Sequence, residues 1–272
     1  MRPFLKWAGG KYRLTKRINE KLPPGNRLLE PFAGSCAVSL NADYPDYWLN
    51  DINPDLINLY QTLQQHGWPF IEVCRQYFIP ANNTPEKYYE LRDRFNRETD
   101  PVIKAALFLY LNRHGYNGLS RYNQKGHFNV PFGRFKKPYF PETELHYFYK
   151  KFRHAQFTAV DFEEIILSAQ PGDVIYCDPP YAPINQTSNF TSYSAGGFNQ
   201  AEQLRLANVA AIAASKGVTV VISNHYSNFV MEIYSQANIE TFPVRRLISC
   251  NGERRRQVDE VLAVFEPLSH DN

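Results

Sequence analysis

The sequence predicts an α/β fold of the Rossmann-like kind, interrupted by an inserted, mainly helical module that ends in a β-hairpin. Three observations carry this. A strand–turn–helix–strand rhythm runs from about residue 27 to residue 54. It gives way to helical periodicity from about residue 68 to residue 111. Alternating strand and helix signals resume near residue 155. A βαβ unit crosses over right-handedly and builds parallel sheet, so the outer stretches imply one sheet and the middle stretch an insertion.

Residues 11–22 read as a short helix stopped by Pro23 and Pro24. Residues 27–30 form a strand running into the turn Pro31-Phe32-Ala33-Gly34-Ser35, and a helix is expected over 37–41. Residues 47–50 make a second strand with Asp51 at its carboxyl end, and a helix begins near Pro54. In the middle stretch Tyr88, Leu91 and Phe95, and later Ala105, Phe108 and Leu109, recur at helical spacing, with Pro80 and Pro101 as boundaries. Residues 115–138, rich in Gly, Asn, Pro and aromatics, read as a hairpin or an irregular loop. Strands follow at 155–160, 173–177, 219–223, 239–244 and 258–265. The expected division is a core domain at 1–56 and 146–272, with the insert at 57–145.

Hydrophobic residues make up 43% of the chain and charged residues 21%, which fits a folded globular protein rather than a disordered one. No apolar run approaches the roughly 20 residues of a membrane helix, and the opening Met1 to Trp7 has no apolar core of a secretory signal. Cys36, Cys74, Cys177 and Cys250 form no C-x-x-C pair, and the histidines no ligand-spaced cluster. Neither a disulfide framework nor a metal site is expected, and a reducing cytoplasm is. The net charge of +3 decides little by itself, but its distribution is informative. Between Asp100 and Glu142 there is no carboxylate, while Lys104, Arg113, Arg121, Lys125, Arg134, Lys136 and Lys137 alternate with Tyr116, Tyr122, Phe128, Phe132, Phe135 and Tyr139. One-signed charge interleaved with aromatics suits a polyanion with stackable bases.

The most specific chemical signal is Asp178-Pro179-Pro180-Tyr181, directly after the apolar strand 173–177. In open α/β sheets ligands sit at the carboxyl ends of strands. An aromatic amine is a weak nucleophile because its lone pair is delocalised into the ring. The Asp178 carboxylate and the Pro179 carbonyl can each accept one amine hydrogen, turning the nitrogen towards a sulfonium methyl. Pro179 and Pro180 stiffen this backbone, and the Tyr181 ring offers a stacking face worth roughly 1–3 kcal/mol per base. Glu30, Phe32 and Gly34 line the candidate cofactor turn, where glycine lets the backbone approach a ligand closely. Asp51 follows the first strand by the spacing at which an acid reaches ribose hydroxyls. No Walker-type lysine follows the glycine, which disfavours a nucleoside triphosphate. Phe4 to Lys11 contains Gly9 and Gly10, which allow a tight turn into a helix with an anion-attracting N-terminus.

Five segments together resemble the GATC-specific DNA adenine methylase family: Phe4 to Lys11, Glu30 to Gly34, Tyr110 to Leu119, Phe128 to Arg134 and Asp178 to Tyr181. The resemblance spans essentially the whole chain in matching order. It implies an S-adenosyl-L-methionine-dependent methyltransferase sheet with an inserted target-recognition domain. The implied activity is N6-adenine methylation of double-stranded GATC by base flipping and direct transfer, performed by a monomer without a metal. Trp7, Lys11, Asp51 and Asp178 match the family's cofactor contacts. Lys6, Tyr116, Asn117, Leu119, Arg121, Pro131 and Arg134 match positions that touch the GATC site, and Tyr116 and Leu119 are the candidates to wedge into the stack. A bidentate contact of Arg121 to guanine would be worth about 1–3 kcal/mol of discrimination. Arg92, Asn123 and Asn129 resemble phosphate contacts, which set register without reading sequence.

One position departs from the family. Cys36 stands where a second glycine is common, at a cost of about 1 kcal/mol or more if that backbone is left-handed. The segment 182–198 is expected to order over a flipped base. Arg254, Arg255 and Arg256 form either a phosphate contact or a solvated turn. Ser223-Asn224-His225 resembles part of a hydrolytic triad but reads more simply as a strand end near the site. Two competing functions are a methyltransferase for RNA or a protein amide, and a catalytically silent DNA-binding protein. The basic insert and Asp in place of Asn before Pro-Pro weigh against the first, and intact Asp51, Asp178 and Tyr181 against the second.

Overall fold

The computed structural model describes residues 1–181, 198–245 and 257–267. The chain forms two compact units, one of Met1–Lys16 and Ala33–Val160, the other of Arg17–Phe32 and Asp161–Asn272. The segment 57–145 lies within the first unit, together with residues on either side of it.

In the first unit β2 (Asp46–Asn50) pairs in parallel with β3 (Gln156–Thr158), in the register Trp48↔Gln156. Helix α2 (Pro54–His66) starts where Asn53 accepts hydrogen bonds from the Asp55 and Leu56 amides, with Pro54 in the first turn. Its inner face buries Leu56, Leu59, Tyr60 and Leu63. Next come α3 (Trp68–Arg75), α4 (Pro85–Arg97), α5 (Pro101–His114) and α6 (Glu142–Lys151). Helix α5 is buried on all sides from Ala105 to Asn112, as befits a helix that packs against α2, α3 and α4. Phe4, Tyr60, Phe148, Phe152 and Phe157 close the core with edge-on and stacked rings 4.7–6.4 Å apart.

In the second unit five strands lie in the order β1-β4-β5-β7-β6. Strand β1 (Arg27–Glu30) runs parallel to β4 (Asp173–Cys177), and β4 parallel to β5 (Thr219–His225). Every residue of β4 is buried, the pattern of a central parallel strand. Arg27 grips Asp173 on the neighbouring strand through two hydrogen bonds of 3.1 and 2.7 Å. Helix α7 (Phe162–Leu167) packs beside α8 (Gln200–Ser215), which Asn199 caps; α9 (Asn228–Ile233) also packs on α8.

Some details depart from the expectation, and the direction of the last two strands adds to it. Strands β6 (Asn238–Arg245) and β7 (Gln257–Phe265) are antiparallel, and β7 also runs antiparallel to β5. Arg245 pairs with Gln257, and the eleven residues between them are too few for a parallel crossover. Residues 37–41 make only turns, because the left-handed backbone at Gly34 (φ +46°) and Cys36 (φ +56°) delays the regular bonding a helix needs. The 11–22 helix is reduced to one 3₁₀ turn and α1 (Thr15–Asn19). Residues 115–138 contain two isolated antiparallel bridges, Gly115↔Phe132 and Tyr122↔Phe128, in place of a ladder.

Candidate active site and nucleic-acid interface

The Asp178 to Tyr181 tetrapeptide leaves the carboxyl end of β4. Cys177 lies beside Ile222 in the parallel register, so Asp178 emerges next to Ser223, whose hydroxyl donates to Asp178 Oδ1 at 3.0 Å. Pro179 is buried, and its carbonyl accepts no hydrogen bond among the described residues. The Pro180 carbonyl accepts from Gln203 Nε2 of α8 at 2.7 Å, and Gln203 in turn receives Asn224 Nδ2 at 3.0 Å. The Tyr181 hydroxyl donates to Glu260 Oε2 of β7 at 3.1 Å, and its ring lies 5.4 Å from that of His225. Burial, with the Asp178 and Glu260 carboxylates nearby, pushes the Tyr181 phenol far up, so it stays a protonated donor. Three neighbouring elements thus hold the tetrapeptide at three points. Ser223 bonds Asp178, which removes the triad resemblance. Sequence reasoning gave no role to Gln203 or Glu260, and for Ser223 the available signal was its place at the end of the adjacent strand.

The expected cofactor residues divide between the units. Glu30, at the end of β1, is almost completely buried in the second unit; there Phe32 meets Phe162 and Phe198 at 5.2 and 5.4 Å. Trp7, Lys11, Gly34 and Asp51 belong to the first. Asp51 Oδ2 accepts the Gly34 amide and Oδ1 the Asn53 amide, both at 3.0 Å, so the acid ties the glycine turn to the start of α2. Burial raises the Asp51 carboxyl against the lowering effect of those two amides. Gly34 is left-handed and pressed against Trp7: a Cβ there would sit 2.6 Å from the indole nitrogen. Lys11 is buried, and its ammonium donates to the Gly9 carbonyl at 3.0 Å. Cys36 has the positive φ its position raised as a concern, with its side chain wholly buried.

The expected DNA contacts gather in the first unit. Buried Asn112, on α5, ties Lys6 to this region: its amide group bonds the Lys6 amide and carbonyl at 2.9 and 2.8 Å and the Gly118 carbonyl at 3.2 Å. A Cβ at left-handed Gly118 would collide with Lys6 Cβ, so glycine is required where the Lys6 stem passes. Lys6 Nζ lies over the Phe135 ring at 3.5 Å; burial and then Arg113 bring its pKa down to about 8. Asn117 and Arg134 both hold left-handed backbone, φ +53° and +55°, the kind of strain that collects at recognition surfaces. Tyr116, Asn117, Arg121, Asn123, Pro131 and Arg134 are exposed, and Leu119 is half-buried.

The three expected phosphate contacts also have internal uses. Arg92 is half-buried and donates to the Val130 carbonyl at 3.2 Å, which makes it a brace for the loop. Asn123 Oδ1 accepts the Lys125 and His127 amides and shapes a tight turn. Asn129 receives Arg121 Nε at 2.8 Å on its side chain and Nη2 at 3.3 Å on its carbonyl, so these two site residues form one unit. The segments 182–197 and 254–256 lie outside the described residues, as does any statement about their roles. Among the described residues no group of His, Cys, Asp and Glu could hold a metal, and no helix is long and apolar enough to cross a membrane.

A carboxylate and a neighbouring backbone carbonyl stand at the end of a buried parallel strand of the second unit, and a basic, aromatic stretch belongs to the first. The family model for D12 class N6 adenine-specific DNA methyltransferases matches residues 7–247, and the chain belongs to that family. DNA adenine methylases of Escherichia coli K12 and Vibrio cholerae O1 (strain ATCC 39541) are each 47% identical to it, the alignments covering 98% of this chain and 96% of theirs. The DNA adenine methylase of Haemophilus influenzae is 48% identical, over 97% of this chain and 93% of its own.

Proposed function

We propose that the chain transfers the methyl group of S-adenosyl-L-methionine to the exocyclic amine of adenine in double-stranded GATC, acting as a monomer on a base turned out of the helix. The observation that carries this is the Asp178 carboxylate, held by Ser223 at the carboxyl end of a buried parallel strand and followed in the chain by the Pro179 carbonyl. The cofactor suits the residues present: Gly34 keeps its tight, left-handed turn free of a side chain, and each Asp51 oxygen takes one amide and keeps a further lone pair for a hydroxyl. Trp7, Lys11, Glu30 and Phe32 complete that set. When bound, the cofactor supplies a methyl group on positively charged sulfur.

Asp178 and Pro179 accept the two amine hydrogens and draw the nitrogen lone pair out of conjugation. The nitrogen–carbon bond forms as the carbon–sulfur bond breaks, and the surplus amine proton passes to water. Tyr181 stacks on the turned-out base and offsets the few kcal/mol spent unstacking it. Residues 57–145 act as the target-recognition domain. Lys6, Tyr116, Asn117, Leu119, Arg121, Pro131 and Arg134 face the bases, and Arg92, Asn123 and Asn129 lie near the phosphates. The bacterial relatives support work in the cytoplasm, in association with the nucleoid; a phage-encoded origin is the alternative.

The test is transfer of labelled methyl groups to two duplexes, one with a single GATC and one with those bases scrambled. Label at the GATC adenine alone is expected; equal label in both removes the specificity. Arg121→Ala is expected to lower the preference for GATC over near-cognate sites by about tenfold to a hundredfold, with turnover on saturating DNA retained. Undiminished discrimination would remove Arg121 from base readout.

A further inference from the structure

Ser223 Oγ lies 3.0 Å from Asp178 Oδ1, 3.3 Å from the Cys177 carbonyl and 3.0 Å from the Tyr176 hydroxyl. A serine hydroxyl has one proton, and a carboxylate or carbonyl can only accept. The Tyr181 hydroxyl, which donates to Glu260, is a further neighbour of Ser223. The proton goes to the Asp178 carboxylate, the charged acceptor in the set and closer than the Cys177 carbonyl. Tyr176 must then be the donor to Ser223. Both side chains are almost completely buried, at 2% and 1% exposure, and burial keeps the Tyr176 phenol protonated. The hydrogen bonds therefore run in one direction, from Tyr176 on β4 to Ser223 on β5 to Asp178.

Asp178 stands where β4 ends, and the strand ladder no longer fixes its side chain. Its carboxylate can meet the amine in only part of its rotamer range. We infer that Ser223, backed by Tyr176, is a positioning residue that fixes the Asp178 carboxylate in the orientation needed for methyl transfer. This rests on the reading of Asp178 as acceptor for the adenine amine. The two strands supply their own register for it: because Cys177 pairs with Ile222, the hydroxyl and the carboxylate are level with each other.

The experiment is single-turnover methylation of a GATC duplex by Ser223→Ala, Ser223→Thr, Tyr176→Phe and Asp178→Ala, each compared with the wild type for duplex binding, S-adenosylhomocysteine binding and thermal unfolding. Loss of carboxylate alignment in Ser223→Ala is expected to slow transfer about tenfold to a hundredfold, with both affinities within about twofold. Ser223→Thr keeps the hydroxyl and is expected to recover most of the rate. Tyr176→Phe, which leaves Ser223 in place, should slow transfer by less, and should add nothing on a Ser223→Ala background. A wild-type rate in Ser223→Ala beside an inactive Asp178→Ala overturns the positioning role and leaves the reading of Asp178 standing. Near-normal transfer by Asp178→Ala overturns both. A slow Ser223→Ala that Thr does not rescue, or one whose loss lies in binding or folding, also overturns it, since a merely structural serine would behave in that way.

Discussion

Asp178→Ala is expected to lower methyl transfer about a thousandfold or more, the scale on which removing a preorganised polar group at a reacting centre is felt. Without the carboxylate the adenine amine loses one of its two acceptors and rests with its lone pair conjugated to the ring. GATC binding should change little, because the expected base and phosphate contacts belong to the first unit and Asp178 to the second. Asp178→Asn should fall between the wild type and Asp178→Ala: its amide oxygen can still accept, but without the charge that strengthens a carboxylate's hydrogen bonds. Single-turnover rates alongside duplex binding check this, and near-normal turnover by the alanine variant would sink the assignment of the site.

Gly34→Ala is the second change with a large expected effect. The backbone there is left-handed, which costs an ordinary residue roughly 1–2 kcal/mol, and the added methyl would lie 2.6 Å from the Trp7 indole nitrogen and 3.0 Å from its Cδ1. The ring must move, and forcing extra volume into a packed contact typically costs about 1–3 kcal/mol. Moving it also disturbs the turn that Asp51 anchors. Cofactor affinity is expected to fall at least about thirtyfold, the equivalent of roughly 2 kcal/mol of this strain, and the melting temperature by several degrees. Calorimetric titration and thermal unfolding measure both; a variant with normal cofactor affinity would show that the turn does not hold the cofactor. Cys36, two residues on, accepts the same left-handed strain in the native chain, where its side chain is fully enclosed.

How much of this could be read beforehand depended on the range of the interaction. Strand β4 could be read because an uninterrupted apolar run before Asp-Pro-Pro-Tyr reflects burial on both faces, and its bounds agree with expectation. The caps of α2 and α5, Asn53-Pro54 and Asp100-Pro101, are local signals that formed as local signals do. The direction of β6 and β7 could not be read, because alternation of side chains shows that a strand exists and not which way its partner runs. The 115–138 segment had the composition of a hairpin, yet side chains from α4, namely Tyr88, Arg92 and Asn96, take up the backbone carbonyls of 128 and 130 that a ladder would have used. The residues that hold the site together were least legible. Gln203 reaches Pro180 across 23 positions, Glu260 reaches Tyr181 across 79, and Asn112 reaches Lys6 across 106. Nothing in the neighbourhood of a glutamine or an asparagine announces such a partner.

The course of β7 affects when the Asp178–Tyr181 tetrapeptide is fully held. Parallel strands reach the site edge of the sheet with their ends, but β7 reaches it near its beginning, where Glu260 lies opposite His225. Tyr181 must therefore wait for a residue made 79 positions later before its hydroxyl is held. At ribosomal speed that delay is about ten seconds. A nascent chain that has already displayed Asp-Pro-Pro-Tyr still lacks the bond that holds the Tyr181 hydroxyl, so the tetrapeptide acquires its last fixed point late in synthesis.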